Sequence, residues 1–224
     1  MARLIPVAIL IALVCSSLFS PAQPDAGTAA LDARVRKVLD GHRSSWGGMN
    51  VPEVDGQALY DIVLRHKYKN ALEIGTSNGY SGLWIAWALA KTGGKLITLE
   101  IDRGRHEEAL AYFREAGLDR YVDARLGDAH VLVPELPGPF DFVFCDADKE
   151  WYEYYLKAVL PKLAAGGCFA AHNVSEYSGW GGRRRGGRGA GGSFLEFARS
   201  FPNLDTRVLD IPGSGGLSVS YKKQ

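Results

Sequence analysis

Two short stretches carry the side chains best suited to chemistry. In FCDADK (144–149), Asp146, Asp148 and Lys149 follow an apolar run; in CFAAHNV (168–174), His172 and Asn173 interrupt another. Carboxylates, an amine, an imidazole and an amide gathered at one place can hold a divalent cation, orient a hydroxyl or take its proton. If both runs are neighbouring parallel strands, their polar ends share the carboxyl edge of a sheet, where ligands of such sheets bind.

A second group lies earlier. LEIGTSNGYSG (72–82) reads as strand, glycine turn and helix start, with Gly75 and Gly79 letting backbone pass close to a ligand. The pattern E-x-G-x-x-x-G differs from the G-x-G-x-x-G of pyrophosphate binders, which argues against a nicotinamide dinucleotide. Glu73, next to the turn, would repel a diphosphate and suits a cationic, amino-acid-bearing cofactor. Glu100 ends LITLE (96–100), where a carboxylate can accept from both hydroxyls of a ribose. In LGDAH (126–130), Asp128 and Ala129 stand where an adenine could be met.

The elements that must position these residues follow from periodicity. Strand-like runs cover 70–75, 95–100, 121–126, 140–146 and 167–172, separated by amphipathic helical stretches. Short apolar strands alternating with helices predict an α/β fold, a doubly wound parallel sheet covered on both faces. The tail DTRVLDIPGSGGLSVSYKK (205–223) is two strand-like runs joined by a glycine turn, which predicts a closing antiparallel hairpin. Among Trp151, Tyr152, Tyr154 and Tyr155, helix packing is the favoured reading over a substrate clamp. Asp148 could contact the cofactor or cap the following helix.

The flanking segments set the limits. Residues 1–26 begin with Arg3, continue through an uncharged apolar stretch to Phe19 and reach small residues near Ala22. This reads as a signal peptide or N-terminal membrane anchor, so export or anchoring is expected; the alternative is a cytoplasmic protein with a misread start. One domain then spans 27–224. Net charge is +1, from 26 basic and 25 acidic residues, so no global field recruits nucleic acid, and membrane contact is confined to the N-terminal segment. Cys145 and Cys168 lie in strand-like runs and read as buried thiols. GWGGRRRGGRGAGG (179–192) reads as a mobile lid or a plain loop, with Trp180 the residue to cover a planar ligand.

Taken together, LEIGTSNGYSGLWIA, LITLEID, LGDA, FDFVFCDADKEWYEYY, HNV and GSGGLSVSYKK resemble the S-adenosylmethionine-dependent O-methyltransferases of the catechol and caffeoyl-coenzyme A type, over roughly 45–222. The resemblance implies a seven-stranded sheet with an antiparallel last strand, and methyl transfer to a hydroxyl of a small aromatic, catechol-like acceptor. It implies that Glu73, Gly75 and Ser81 line the methionine side, Glu100 holds the ribose, Asp128 and Ala129 lie by the adenine, and Met49 and Val51 close over the cofactor, with Asp146 at its reacting end. It makes Lys149 the general base and Asp146, His172 and Asn173 a metal site. There the chain departs from the family, which has Asp-Asn where this sequence has His172 and Asn173. An imidazole among oxygen donors favours Mn²⁺, Fe²⁺ or Zn²⁺ over Mg²⁺. The open alternatives are a metal-free site with His172 as base, a cofactor-binding protein with altered chemistry, and a homodimer or a monomer.

Overall fold

The structure is a computed structural model that describes residues 26–47, 49–174 and 190–224. The expected leader (1–26, but for Ala26), Trp180 and most of the Gly/Arg-rich segment lie outside these residues. Helices α1 (Ala26–Gly41) and α2 (Glu53–His66) precede β1 (Asn70–Ile74), after which α3 (Tyr80–Thr92), β2 (Lys95–Glu100), α4 (Arg103–Ala116), β3 (Val122–Leu126), α5 (Ala129–Glu135) and β4 (Phe140–Cys145) alternate. The chain continues through α6 (Tyr152–Val159), β5 (Leu163–His172), α7 (Ala190–Arg199), β6 (Leu204–Val208) and β7 (Leu217–Lys222).

The seven strands form one sheet in the order β3-β2-β1-β4-β5-β7-β6. Strands β1 to β5 pair in parallel, while β7 inserts antiparallel between β5 and β6. The order reverses at β1, where chain direction carries one half of the sheet toward β2 and the other toward β4. At such a switch point the loops leaving adjacent strand ends diverge and leave a crevice.

Alternation along the strands feeds two cores. On one face Ala71, Phe142, Phe144, Cys168 and Ala170 pack beneath α1 to α4; on the other Leu72, Ile74, Val143, Cys145, Phe169 and Ala171 pack beneath α5 to α7. Each fully buried Phe or Leu side chain contributes about 1.5–3 kcal/mol from apolar area removed from water. Helix α3, buried from Tyr80 to Leu89, is apolar all round because it is wedged between the sheet and helices α1, α2 and α4. The two thiols are free and belong to opposite faces of the sheet.

Two differences from the sequence reading have simple causes. Strand β5 starts at Leu163, earlier than expected, because Ala-Ala-Gly-Gly at 164–167 lacks the branched residues that mark strands. Helix α7 was not expected, since its glycine-containing start runs on from the Gly/Arg-rich segment.

Candidate active site

The turn after β1 is shaped by a close approach. Gly75 has φ +95°, and a Cβ there would meet the Asp146 carbonyl oxygen at 2.9 Å and the Ala147 nitrogen at 3.0 Å. Only glycine therefore lets β1 and β4 end side by side, which brings Asp146 to the first turn. The resulting cavity, of about 460 Å³, is lined by Met49, Val51, Gly75, Ser81, Glu100, Asp128, Ala129 and Asp146 among others. Eight of the expected cofactor residues thus surround one space.

Glu73 is the exception among them. It is fully buried behind the cavity wall and does not line it. Its Oε1 accepts from Ser81 Oγ at 2.6 Å and its Oε2 from Thr98 Oγ1 at 2.6 Å, and Thr98 Oγ1 in turn lies 2.5 Å from Thr76 Oγ1. With Glu73 ionised, Thr98 spends its proton on the carboxylate, so Thr76 must donate to Thr98. Both cavity-lining hydroxyls, Thr76 and Ser81, then turn lone pairs toward the ligand. That polarity suits an ammonium group. Burial pushes the Glu73 carboxyl up to about 7, against the hydrogen bonds from Ser81 and Thr98.

Glu100 is held by backbone. Its Oε2 accepts from Ser77 N–H at 2.7 Å and its Oε1 from Asp102 N–H at 2.8 Å, which leaves further lone pairs facing the cavity. Asp128 caps α5 by accepting from His130 N–H at 2.9 Å. Asp148 does not cap the next helix. Its carboxylate lines the cavity, accepts from Tyr155 O–H at 3.0 Å and faces His130 Nε2 at 3.2 Å. His130 stacks on Tyr155 at 5.5 Å, so the aromatic run both packs the core and walls the site.

At the reacting end, Asp146 Oδ1 pairs with Lys149 Nζ at 2.5 Å, and the lysine also donates to Tyr152 O–H at 2.7 Å. Tyr152 O–H in turn donates to the His172 carbonyl oxygen at 3.1 Å, tying the base candidate to the end of β5. Asp146 Oδ2 lies 3.3 Å from His172 Nδ1. Asn173 follows at φ +54°, a left-handed conformation that asparagine tolerates. Asp146, Lys149 and His172 thus meet at the ends of β4 and β5, and Asn173 is the next residue along the chain from His172.

The sequence reading missed a partner. Asp55, fully buried in the first turn of α2, accepts from His172 Nε2 at 3.0 Å and from Gly215 N–H at 2.8 Å through the same oxygen. Burial alone would raise the Asp55 carboxyl, but hydrogen bonds from His172, Ser214 and Gly215 hold it below the usual carboxylate range. Burial likewise opposes a charged His172, yet the flanking carboxylates Asp146 and Asp55 push it up to about 9. An acidic residue in a first helical turn is ordinarily explained by the helix dipole, so nothing in the sequence marked Asp55 out.

Among the described residues, no three His, Cys, Asp or Glu side chains are gathered as a metal cage. Two such groups plus the Asn173 amide remain, and one observation fits a cation there: His172 Nδ1 is buried and makes no hydrogen bond, its direction toward Asp146 being poorly aligned.

A doubly wound, mainly parallel sheet closed by an antiparallel strand, with a cavity beyond the ends of β1, β2 and β4, defines the α/β methyltransferase fold. The chain belongs to the O-methyltransferase family, whose model matches residues 28–183. Over 130 residues it is 43% identical to a catechol O-methyltransferase of Niastella koreensis, covering 56% of this chain and 58% of that protein. A caffeoyl-CoA O-methyltransferase of Medicago sativa is 32% identical over 135 residues, 58% of this chain and 54% of its own length. The chain therefore spans a little over half of the curated relatives it matches. Among solved structures, an O-methyltransferase from Bacillus cereus in complex with SAH aligns with a TM-score of 0.72 and 26% identity, covering 86% of this chain and 91% of that one. TomG from Streptomyces achromogenes, in complex with SAM, aligns with a TM-score of 0.72 and 25% identity over 85% and 90% of the two chains.

Proposed function

We propose that the protein transfers a methyl group from S-adenosylmethionine to a hydroxyl of a small, planar, catechol-like acceptor. The observation that carries this reading is that Glu100, Ser81 and Asp146 line one cavity, so ribose, amino-acid and reacting ends of one cofactor are served together. The names of the relatives and the ligands of the two solved structures support the same cofactor.

The sulfonium carries the electrophile, so the protein's task is alignment and proton removal. An acceptor oxygen attacks the methyl carbon, the carbon–sulfur bond breaks, and S-adenosylhomocysteine leaves neutral. A phenol has a pKa near 10, so its proton must be taken at neutral pH. Lys149 is the group placed to take it once the acceptor oxygen displaces its contact with Asp146, and Tyr152 keeps the amine pointed at the β5 edge. Asp146, His172 through Nδ1, and Asn173 are the residues that would hold a divalent cation. Such a cation, when bound, lowers the pKa of a hydroxyl it contacts.

Calorimetry with S-adenosylmethionine and with NAD, paired with a methyl-transfer assay on catechol, tests the reading. Tight binding of S-adenosylmethionine with catechol turnover is expected. Binding without turnover of any catechol-like hydroxyl would leave a cofactor-binding protein, and preference for NAD would overturn the cofactor itself.

A further inference from the structure

A second cavity adjoins the segment that closes over the cofactor. It measures about 320 Å³ and forms a cleft between the C-terminal half of α1, residues 50–53 and the start of α3. Asn50 and Val51 line both this cleft and the cofactor cavity, so the two spaces share a wall. None of Asp146, Lys149 and His172 lines the cleft, which is therefore no part of the reacting end.

Trp46, Tyr80 and Trp84 give the cleft an aromatic surface, with ring centroids 5.1 Å apart for Trp46 and Tyr80 and 6.4 Å apart for Tyr80 and Trp84. Tyr80 and Trp84 are only 6% and 4% exposed, yet their polar atoms are unsatisfied. Trp84 Nε1 makes no hydrogen bond, although the Tyr80 hydroxyl is close enough to feel the indole. The Tyr80 hydroxyl donates to no group among the described residues, and burial pushes it above its ordinary range, so it keeps its proton. An oxygen entering the cleft would accept from Tyr80, whose own lone pair then meets the indole N–H; one ligand atom satisfies two buried donors. The indole is held there at a cost to α2. Gly56 interrupts that helix, and a Cβ on it would stand 2.4 Å from Trp84 Nε1.

The charges around the rim select what enters. Arg43 pairs with Asp40 at 2.7 Å and with Glu53 at 3.4 Å, and Arg36, held over the Trp87 ring at 5.1 Å, balances the remaining carboxylate. A ligand charge of either sign would thus face one of its own. We propose that this cleft is a second binding site, for an uncharged, hydroxylated planar ring that stacks on Trp46 and accepts from Tyr80. Its occupant braces Asn50 and Val51 and so favours a closed cofactor cavity; this bracing alone rests on the cofactor reading above.

The experiment follows the indole ¹⁵N–¹H signals of full-length, cofactor-free protein as catechol is added. The Trp46 and Trp84 signals are expected to shift together, while that of Trp151, 4.1 Å from the cavity-lining His130, stays in place. Tyr80→Phe keeps the ring and its packing, and is expected to bind catechol about tenfold more weakly. Benzoate, which carries a charge, is expected to move neither signal. Absence of any shift, a shift of Trp151 without Trp46 and Trp84, equal affinity in Tyr80→Phe, or equal binding of benzoate overturns the site. None of these readouts involves turnover, so a failure of methyl transfer to catechol leaves them standing. Calorimetry with S-adenosylhomocysteine tests the brace: saturating catechol is expected to tighten its binding about fivefold more in wild type than in Tyr80→Phe. The same tightening in both proteins overturns the brace.

Discussion

Ser81 Oγ donates to Glu73 Oε1 at 2.6 Å, so a hydroxyl on the cavity wall is anchored by a carboxylate that the cavity never touches. Burial pushes that carboxyl up to about 7 from its ordinary value of 4.5. The folded state therefore keeps a proton where the unfolded chain has already lost it. Stability from this source is fully present below about pH 4.5 and is lost as pH rises through about 7. Glu73→Gln carries no titrating proton, so its melting temperature in the absence of cofactor is expected to fall less than that of wild type between about pH 5 and pH 7.5. Parallel melting curves for the two proteins across that range would remove Glu73 as the cause.

Glu100 offers a sharper test of the ribose end, because both its oxygens already accept backbone N–H groups from Ser77 and Asp102. Glu100→Gln keeps the shape but turns an amide toward one of those donors, leaving an N–H unsatisfied and the glycine turn displaced. An unsatisfied buried donor costs about 1–3 kcal/mol. Calorimetric affinity for S-adenosylmethionine is accordingly expected to fall roughly 10–100-fold. Asp123→Asn, at an exposed pair with Arg125 on β3, is the control expected to change nothing. Unchanged affinity in Glu100→Gln would place the ribose elsewhere.

How much of this was legible before the structure depended on sequence separation. Glu100, Asp146 and His172 end apolar runs, and a polar residue at the end of a buried strand is conspicuous against its neighbours. The parallel sheet and its antiparallel closure followed from the same short apolar runs, alternating with helices, and the glycine turn before Leu217. Glu73 was legible as a functional carboxylate but not as one hidden behind Ser81, because a strand's alternation gives a face and no depth. Asp55 was illegible: its partner is 117 residues away, and its place in a first helical turn had a sufficient local explanation. Tyr152 was absorbed into an aromatic run whose packing role is real, which concealed its contacts with Lys149 and the His172 carbonyl.

Gly215 turns the Asp55 and His172 contact into a stability experiment. Its place in a Pro-Gly-Ser-Gly-Gly turn suggests a need for flexibility, whereas the structure shows a need for space: a Cβ would stand 2.6 Å from His172 Nε2 and 3.0 Å from Cε1. Overpacking of a rigid site costs about 1–3 kcal/mol. Urea unfolding of Gly215→Ala is expected to show a loss of that size. Gly47→Ala, where a Cβ meets nothing within 4 Å, is expected to stay within about 0.5 kcal/mol of wild type. Equal stability of the two variants would mean that the loop moves aside freely and does not brace the histidine.

Lys149 is separated from a merely structural lysine by the pH dependence of its loss. Removing a general base costs about 10²–10⁴-fold in rate. Lys149→Met keeps most of the side chain's apolar stem, so cofactor affinity is expected to hold within about threefold while catechol turnover at pH 7 falls by that larger factor. A phenolic acceptor with a pKa near 10 ionises by itself as pH rises, and the need for a base falls with it. The deficit of Lys149→Met relative to wild type is therefore expected to shrink by about an order of magnitude for each pH unit up to about 10. A lysine that only bridges Asp146 and Tyr152 would leave a deficit independent of pH, because its loss would disturb alignment equally for the phenol and the phenolate.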